Sequence, residues 1–220
     1  MKIIKFGGTA FQTPKLVDNV CSIIEREEKP LLVVASAIGR KGFPFATDTL
    51  IDSIKENYLS NKEMDRLLSL GEIYSTLFLS NALKRRKIKA YAMSYLETGI
   101  ECNENYSEGN ILCIDNENYR VFSEKYDVLV VPGFIGFTKN NEVITLGRGT
   151  SDLSCVELAR VNKLDEIILY KLSSIIPFSN WFRMYKIKTL FSAKAVVLSE
   201  LDIINSTPYF DFCLLYHSLL

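Results

Sequence analysis

Residues 2–24 read KIIKFGGTAFQTPKLVDNVCSII, and this stretch decides the class of fold. Its first five residues form a β-rich run that ends at Gly7-Gly8, which predicts a short strand followed by a turn. Thr13-Pro14 then supplies a helix cap followed by proline at the first helical position. The apolar residues behind this cap recur at helical spacing, and they are Leu16, Val17, Val20, Cys21, Ile23 and Ile24.

The same alternation of strand-like and helix-like segments continues to about residue 170. Strands are predicted over residues 31–35, 88–93, 127–131 and 166–170, helices over 64–84 and 151–161, a loop over 43–47, and a hairpin around Asn140-Asn141. Strands that alternate with helices form a mostly parallel sheet with helices on both faces. The sequence therefore predicts a layered α/β fold.

Composition excludes several classes of protein. The 220 residues contain 26 Lys plus Arg and 26 Asp plus Glu, so the basic excess of a general nucleic-acid binder is missing. No apolar run reaches the roughly 18 residues of a membrane span. The five cysteines are far apart and form no CxxC pair, which indicates neither a disulfide framework nor a zinc cluster. We therefore expect a cytoplasmic protein with reduced thiols and with neither a nucleic-acid nor a membrane partner.

The first candidate site is the turn Lys5-Phe6-Gly7-Gly8-Thr9, which closes the first strand. Two glycines let backbone N–H groups approach an anion, and Lys5 would add a positive charge. An ordinary glycine turn with a surface lysine would have the same sequence. Ser36, at the end of the second buried strand, lies where open α/β sheets bind ligands, although a helix-cap or turn serine is the favoured interpretation of this residue taken alone.

Two further candidates lie beside helices. Glu72 interrupts an apolar helical stretch directly after Gly71, whose helix cost of about 1 kcal/mol relative to alanine indicates a close approach to another segment. A solvated glutamate on an amphipathic helix is the alternative. Arg148 lies between Gly147 and Gly149 before a helix that Thr150 or Ser151 can cap. An unhindered guanidinium there suits bidentate binding of a carboxylate or phosphate.

Five segments in this order resemble the aspartate kinases of the amino-acid kinase superfamily. They are KFGGT at 5–9, SAIG at 36–39, LLSLGE at 67–72, VPGFIG at 131–136 and TLGRGTSD at 145–152. The resemblance covers about residues 2–170. It implies a three-layer αβα amino-acid kinase fold with a mostly parallel central sheet and an incomplete nucleotide lobe.

The resemblance also implies an activity, which is transfer of the ATP γ-phosphoryl group to the side chain of L-aspartate in lysine, threonine and methionine biosynthesis. It implies ATP with Mg²⁺ carried by the nucleotide, no protein-bound metal, and a homodimer as one expected state. Lys5 and Asp152 would be catalytic, with Glu72 on the aspartate amino group and Arg148 on its α-carboxylate. The phosphate-binding residues would be Lys5, Phe6, Gly7, Gly8 and Thr9, and the substrate-binding residues would be Ser36, Thr47 (followed by Asp48), Glu72, Arg148, Gly149 and Ser151.

The last 50 residues have a different character. All eleven glycines lie at or before Gly149, and the Asp-Gly segments that follow the corresponding strand in the family are missing. We therefore divide the chain into a kinase domain at 1–170 and a divergent remnant of the nucleotide lobe at 171–220, with a helix over 190–201 and no regulatory ACT domain. Three interpretations stay open: a divergent lobe that still binds ATP, a non-catalytic module that binds an amino acid or a partner, and a disrupted reading frame.

Overall fold

Strands and helices alternate along the chain in a computed structural model. It describes residues 1–147, 149–164 and 166–170, and the backbone alone at 171–172, 182–190 and 194–200. The strands are β1 Lys2–Phe6, β2 Leu31–Ala35, β3 Ala90–Ala92, β4 Ile100–Cys102, β5 Ile111–Ile114, β6 Val128–Pro132, β7 Ile135–Thr138, β8 Val143–Thr145, β9 Glu166–Leu172, β10 Phe182–Leu190 and β11 Lys194–Glu200. The helices are α1 Pro14–Arg26, α2 Thr47–Ser53, α3 Asn61–Arg85, α4 Glu117–Ser123 and α5 Ser151–Val161.

The main sheet has the order β11-β10-β9-β1-β2-β6-β3. Its five strands from β9 to β3 are parallel, and β10 and β11 add an antiparallel edge. This arrangement confirms the α/β class, because a parallel pair needs a long crossover that a helix usually provides. β2 and β6 are buried along their whole length, as continuous apolar runs predict.

Alternation along the strands divides the core into two clusters. Ile4 and Val33 point to one face, where they pack with α1 and α3. Ile3 and Leu32 point to the other face, where they pack with α4 and α5. Successive side chains of a strand point to opposite faces, so the two clusters make the three helix–sheet–helix layers.

A second sheet, in the order β5-β4-β7-β8, lies beside the first half of α3. Its β7–β8 hairpin turns at Asn141, which has a φ of 62° and confirms the predicted hairpin. Leu68 of α3 packs there with Phe134, Ile135 and Val143. The contact brings the first half of α3 close to the turn that follows β6.

Some predictions of secondary structure are wrong. The loop at 43–47 ends one residue early, because Thr47 starts α2. Residues 194–200 form β11 rather than part of a helix, since the Val196-Val197 pair suits a strand bonded to β10. β4, β5 and α4 are short elements that the sequence analysis did not predict. Within the described residues, no helix is long and apolar enough to cross a membrane.

Candidate active site

The candidate site lies where β1, β2 and β6 end, because parallel strands bring their carboxyl ends to one edge. The turns after β1 and β2 are joined by backbone hydrogen bonds. Ser36 N–H donates to the Phe6 carbonyl at 3.3 Å, and Gly39 N–H donates to the Gly8 carbonyl at 2.8 Å. A Cβ at Gly8 would lie 1.8 Å from the Ala37 carbonyl oxygen, so only glycine permits this approach.

Lys5 and Asp152 form a buried ion pair at this edge. Lys5 Nζ lies 2.5 Å from Asp152 Oδ1, and the two side chains are 9% and 10% exposed. Lys5 is held by the central strand β1, and Asp152 by the first turn of α5. A carboxylate near a helix N-terminus is favoured by the helix dipole, and here it also fixes the direction of the lysine. The ammonium is therefore oriented before any ligand arrives.

Glu72 is the most unusual side chain of the site. It is only 3% exposed, although it lies in the middle of a long helix. The Ala37 backbone N–H donates to its carboxylate, whereas Oε2 has no hydrogen-bond partner among the described residues. Burial raises the pKa of Glu72 to about 8, despite the opposing effects of the Ala37 N–H and of the Lys5 charge. A buried carboxyl oxygen without a partner is suited to a cationic or hydrogen-bond-donating ligand.

Gly71 explains how Glu72 becomes buried. A Cβ at this position would lie 2.6 Å from the Phe45 carbonyl oxygen and 2.9 Å from Ala37 Cβ. The close approach that its helix cost indicated is thus confirmed, and its partners are the segments that carry Ser36 and Thr47. Because Gly71 has no side chain, α3 can pack closely against the segments at Ala37 and Phe45. This packing buries Glu72 instead of exposing it to solvent.

A cavity of about 270 Å³ opens beside Glu72. Five of the predicted substrate residues line it, namely Ser36, Thr47, Glu72, Gly149 and Ser151, together with Ala37, Asp48 and Phe134. They come from the turn after β2, from α2, from α3, from the turn after β6, and from α5 and the loop before it. Residues far apart in the chain therefore converge on one space.

Other predicted site residues lie differently. The Phe6 side chain packs in the core, stacked on Tyr170 with ring centroids 4.9 Å apart, so only its backbone faces the turn. Thr9 lies half-buried in a 3-10 turn at Gly8–Phe11. Arg148 lies outside the described residues. Thr150 is the N-cap of α5 but donates its hydroxyl to the Gly147 carbonyl at 2.6 Å, so it makes no side-chain cap bond.

Sequence reasoning missed Asp65, which lies two helical turns before Glu72 on α3. Asp65 is fully buried and accepts three hydrogen bonds, from Ser107 N–H at 2.9 Å, Thr145 N–H at 3.0 Å and Thr145 Oγ1 at 2.8 Å. It therefore fixes the end of β8, which leads into the Gly147–Gly149 loop. Its spacing of seven residues from Glu72 was the available signal, because positions i and i+7 share a helix face.

The residues of the site fit a metal that arrives with a nucleotide. No group of three or more His, Cys, Asp or Glu side chains suited to hold a metal ion occurs in the described part of the chain. Mg²⁺ binds proteins through one or two carboxylates together with substrate phosphates. The turn at Gly7-Gly8 and the Lys5 ammonium suit such phosphates, since both present positive charge or N–H donors.

Comparison with known proteins gives concordant matches. The sequence model described as the amino acid kinase family matches residues 1–178. The aspartokinase of Geobacillus stearothermophilus is 34% identical over 171 residues, which cover 76% of this chain and 41% of that protein. The aspartokinase of Helicobacter pylori strain 26695 is 35% identical over 161 residues, covering 70% of this chain and 38% of that protein. The chain thus spans about two-fifths of the curated relatives it matches.

Solved structures agree with these matches. The aspartate kinase of Synechocystis is 32% identical, with a TM-score of 0.63 over 79% of this chain and 28% of that one. E. coli aspartokinase III, solved in complex with aspartate and ADP, has a TM-score of 0.62 over 77% of this chain and 48% of that one. At 19% identity the second likeness shows the fold alone.

Proposed function

The chain belongs to the amino acid kinase family, and from this premise we propose that it is an aspartate kinase. The proposed reaction transfers the γ-phosphoryl group of ATP to the side-chain carboxylate of L-aspartate and gives β-aspartyl phosphate. The observation that carries the proposal is the buried Glu72 Oε2, which has no hydrogen-bond partner among the described residues and belongs to a residue that lines the cavity. Asp152 of the Lys5–Asp152 pair directly follows Ser151, another residue of the cavity wall. Relatives named aspartokinase support the choice of substrate.

Charge complementarity supports an α-amino acid as the acceptor. The ammonium group of aspartate would supply the missing partner of Glu72 Oε2 and stabilise its carboxylate form. The hydroxyl groups of Ser36, Thr47 and Ser151 line the same cavity and can donate to carboxylate oxygens. Arg148 remains the proposed partner of the α-carboxylate, on the strength of its sequence alone.

Phosphoryl transfer to a carboxylate requires little acid–base catalysis by the protein. A free carboxylate has a pKa of about 3.9, so the acceptor is already ionised at neutral pH. Catalysis then depends on positioning and on neutralisation of the charge on the transferring group. The proposed roles are for Lys5 to neutralise that charge, for the Gly7-Gly8 turn to bind its oxygens, and for Asp152 to hold Lys5 in place.

The nucleotide would bring Mg²⁺, which neutralises phosphate charge when bound. Binding of MgATP is the step that separates an aspartate kinase from a non-catalytic module on the same fold. The described strands β10 and β11 extend the sheet beyond β9. β9 is the strand that pairs with β1, and its Tyr170 carbonyl accepts from Gly7 N–H of the glycine turn. We propose that this edge carries the nucleotide, and that residues 171–220 are a divergent form of the nucleotide lobe.

Aspartate-dependent formation of acyl phosphate, trapped as the hydroxamate, tests the proposal. The assay uses the purified chain, L-aspartate and MgATP. We expect product in the wild type and a fall in kcat of about a hundredfold to a thousandfold in Lys5→Ala, since one electrostatic donor is lost. Wild-type chain that melts cooperatively and binds aspartate without product would instead favour the non-catalytic module.

Lys2→Ala is the matched control. Lys2 lies on the same strand but pairs with Glu27 at 3.2 Å and Glu166 at 3.4 Å, away from the cavity. Its loss removes the same charge and should leave kcat unchanged. Equal losses in the two variants would show that net charge rather than the position of Lys5 matters.

We also propose a homodimer in the cytoplasm. Leu70, Tyr74 and Leu77 are 46%, 38% and 58% exposed and share one face of α3, which favours burial against another surface. The described cysteines, Cys21, Cys102, Cys113 and Cys155, are free thiols. Sedimentation of the wild type and of Leu77→Glu tests the dimer. A charge on the exposed face of α3 should shift the sedimentation coefficient from that of a dimer to that of a monomer.

A further inference from the structure

The turn after β6 carries backbone strain at a residue of the cavity wall. Phe134 has a φ of +64°, which a bulky side chain rarely adopts. Ile135 N–H donates to the Gly133 carbonyl at 2.7 Å, and a bond across one positive-φ residue makes a γ-turn of the rare, strained form. Phe134 is 5% exposed and lines the cavity. Strain of this kind persists only where surrounding contacts impose it.

Ser154 of α5 supplies such a contact. Its side chain is fully buried in α5, one turn after Ser151. Ser154 Oγ accepts a hydrogen bond from Phe134 N–H at 3.2 Å and donates one to the Thr150 carbonyl at 3.2 Å. A single hydroxyl therefore connects the strained turn with the first turn of α5.

The two segments also touch directly. A Cβ at Gly133 would lie 2.8 Å from Ser151 Cβ, so the turn is packed against a residue that lines the cavity. The Phe134 carbonyl accepts from Leu146 N–H at 2.9 Å, which fixes the other side of the residue. The backbone carbonyl of Phe134 is therefore bonded to Leu146, and its backbone N–H is bonded to Ser154.

We propose that Ser154 is a positioning residue, which holds Phe134 in its strained conformation and thereby sets the affinity of the cavity for the acceptor amino acid. The inference rests on the proposed function for the identity of that acceptor. Ser154 is not among the described residues that line the cavity. It acts only through Phe134 and the start of α5.

Ser154→Ala removes the hydroxyl and lets the turn relax. We expect the aspartate KM to rise about tenfold or more, while the MgATP KM changes less than about twofold, because only the acceptor pocket is altered. Ser154→Thr keeps the hydroxyl and should restore most of the affinity. In the ligand-free chain, exchange of the Phe134 amide hydrogen should be faster in Ser154→Ala than in the wild type.

Tyr119→Phe is the matched control for loss of one buried hydrogen bond. The Tyr119 hydroxyl donates to the Thr98 carbonyl at 2.8 Å, and Tyr119 is buried in the core away from the cavity. The control should lose stability and keep the wild-type KM for aspartate. Unchanged aspartate KM and unchanged Phe134 exchange in Ser154→Ala would overturn the inference and leave Ser154 a purely structural residue.

The two proposals fail in different ways. A wild-type chain that neither binds nor phosphorylates aspartate overturns the proposed function, and with it the substrate half of this inference. Amide exchange at Phe134 needs no ligand, so it still decides whether Ser154 holds the turn. Normal wild-type activity together with an unaffected Ser154→Ala variant overturns the inference alone.

Discussion

Replacement of Glu72 by glutamine should stabilise the ligand-free protein, and more so as the pH rises. The pKa of Glu72 is about 8 in the folded chain against an ordinary value of 4.5, so the carboxyl group must take up a proton on folding at neutral pH. The unfolded chain then binds fewer protons than the folded chain, and stability falls as the pH rises from 4.5 towards 8. At 1.36 kcal/mol per pKa unit over the interval from 4.5 to 7, this cost is about 3 kcal/mol at pH 7.

Glu72→Gln has no such cost, because an amide stays neutral in both states. The measurement is the free energy of unfolding of both proteins in urea without ligand. The value for Glu72→Gln minus the value for the wild type should increase by about 2 to 3 kcal/mol from pH 5 to pH 7. Glu63→Gln is the control, since hydrogen bonds from Ser60 lower the pKa of Glu63. That variant should lose stability relative to the wild type over the same range.

The same linkage predicts proton release when aspartate binds. Below pH 8 the free protein carries a protonated Glu72, and an ammonium ligand favours its carboxylate form. Calorimetry at pH 7 in two buffers of different ionisation enthalpy should therefore detect about one proton released per aspartate, and Glu72→Gln should release none. A stability difference that is flat with pH, together with binding that releases no proton, would refute this account of Glu72.

Three further predictions concern other residues of the proposed site. Asp65→Ala should lower the free energy of unfolding in urea by about 3 kcal/mol, because Ser107 and Thr145 lose their hydrogen-bond acceptor. Asp65→Asn keeps an acceptor and should cost less than half as much, so equal losses in the two variants would contradict this role of Asp65. Gly71→Ala should destabilise the protein by about 1 to 3 kcal/mol and raise the aspartate KM, because the alanine Cβ would meet the Phe45 carbonyl. Alanine has the better helix propensity, so a more stable variant would show that α3 is not tightly packed there. Arg148→Lys should raise the aspartate KM about tenfold, since an ammonium cannot reproduce a bidentate fork, and an unchanged KM would remove Arg148 from the pocket.

Local patterns were sufficient to predict much of the framework. The β1–turn–α1 unit follows from a β-rich run, a glycine turn and a Thr-Pro cap, and Leu16 N–H does bond to Thr13 Oγ1. The helix predicted at 151–161 has these bounds in the structure. By contrast α2 has seven residues and no side-chain cap bond, so periodicity gave no signal for it.

The chemistry of the site depends on contacts that no local pattern encodes. Glutamate belongs on the surface by residue type, and Glu72 is buried only because Gly71 lets α3 approach Ala37 and Phe45. The strain at Phe134 is imposed by Ser154 and Leu146, which lie 20 and 12 residues further along the chain. Tertiary packing therefore decides which of the candidate residues share a cavity.

A crystal structure of the chain with L-aspartate, Mg²⁺ and a non-hydrolysable ATP analogue is the decisive test of the proposed site. We expect aspartate in the cavity with its amino nitrogen about 3 Å from Glu72 Oε2. We also expect the side-chain carboxylate to be directed towards Lys5 and Gly8, with the γ-phosphate beyond it. Aspartate bound with its amino group away from Glu72, or an empty cavity at saturating aspartate, would contradict the proposed site.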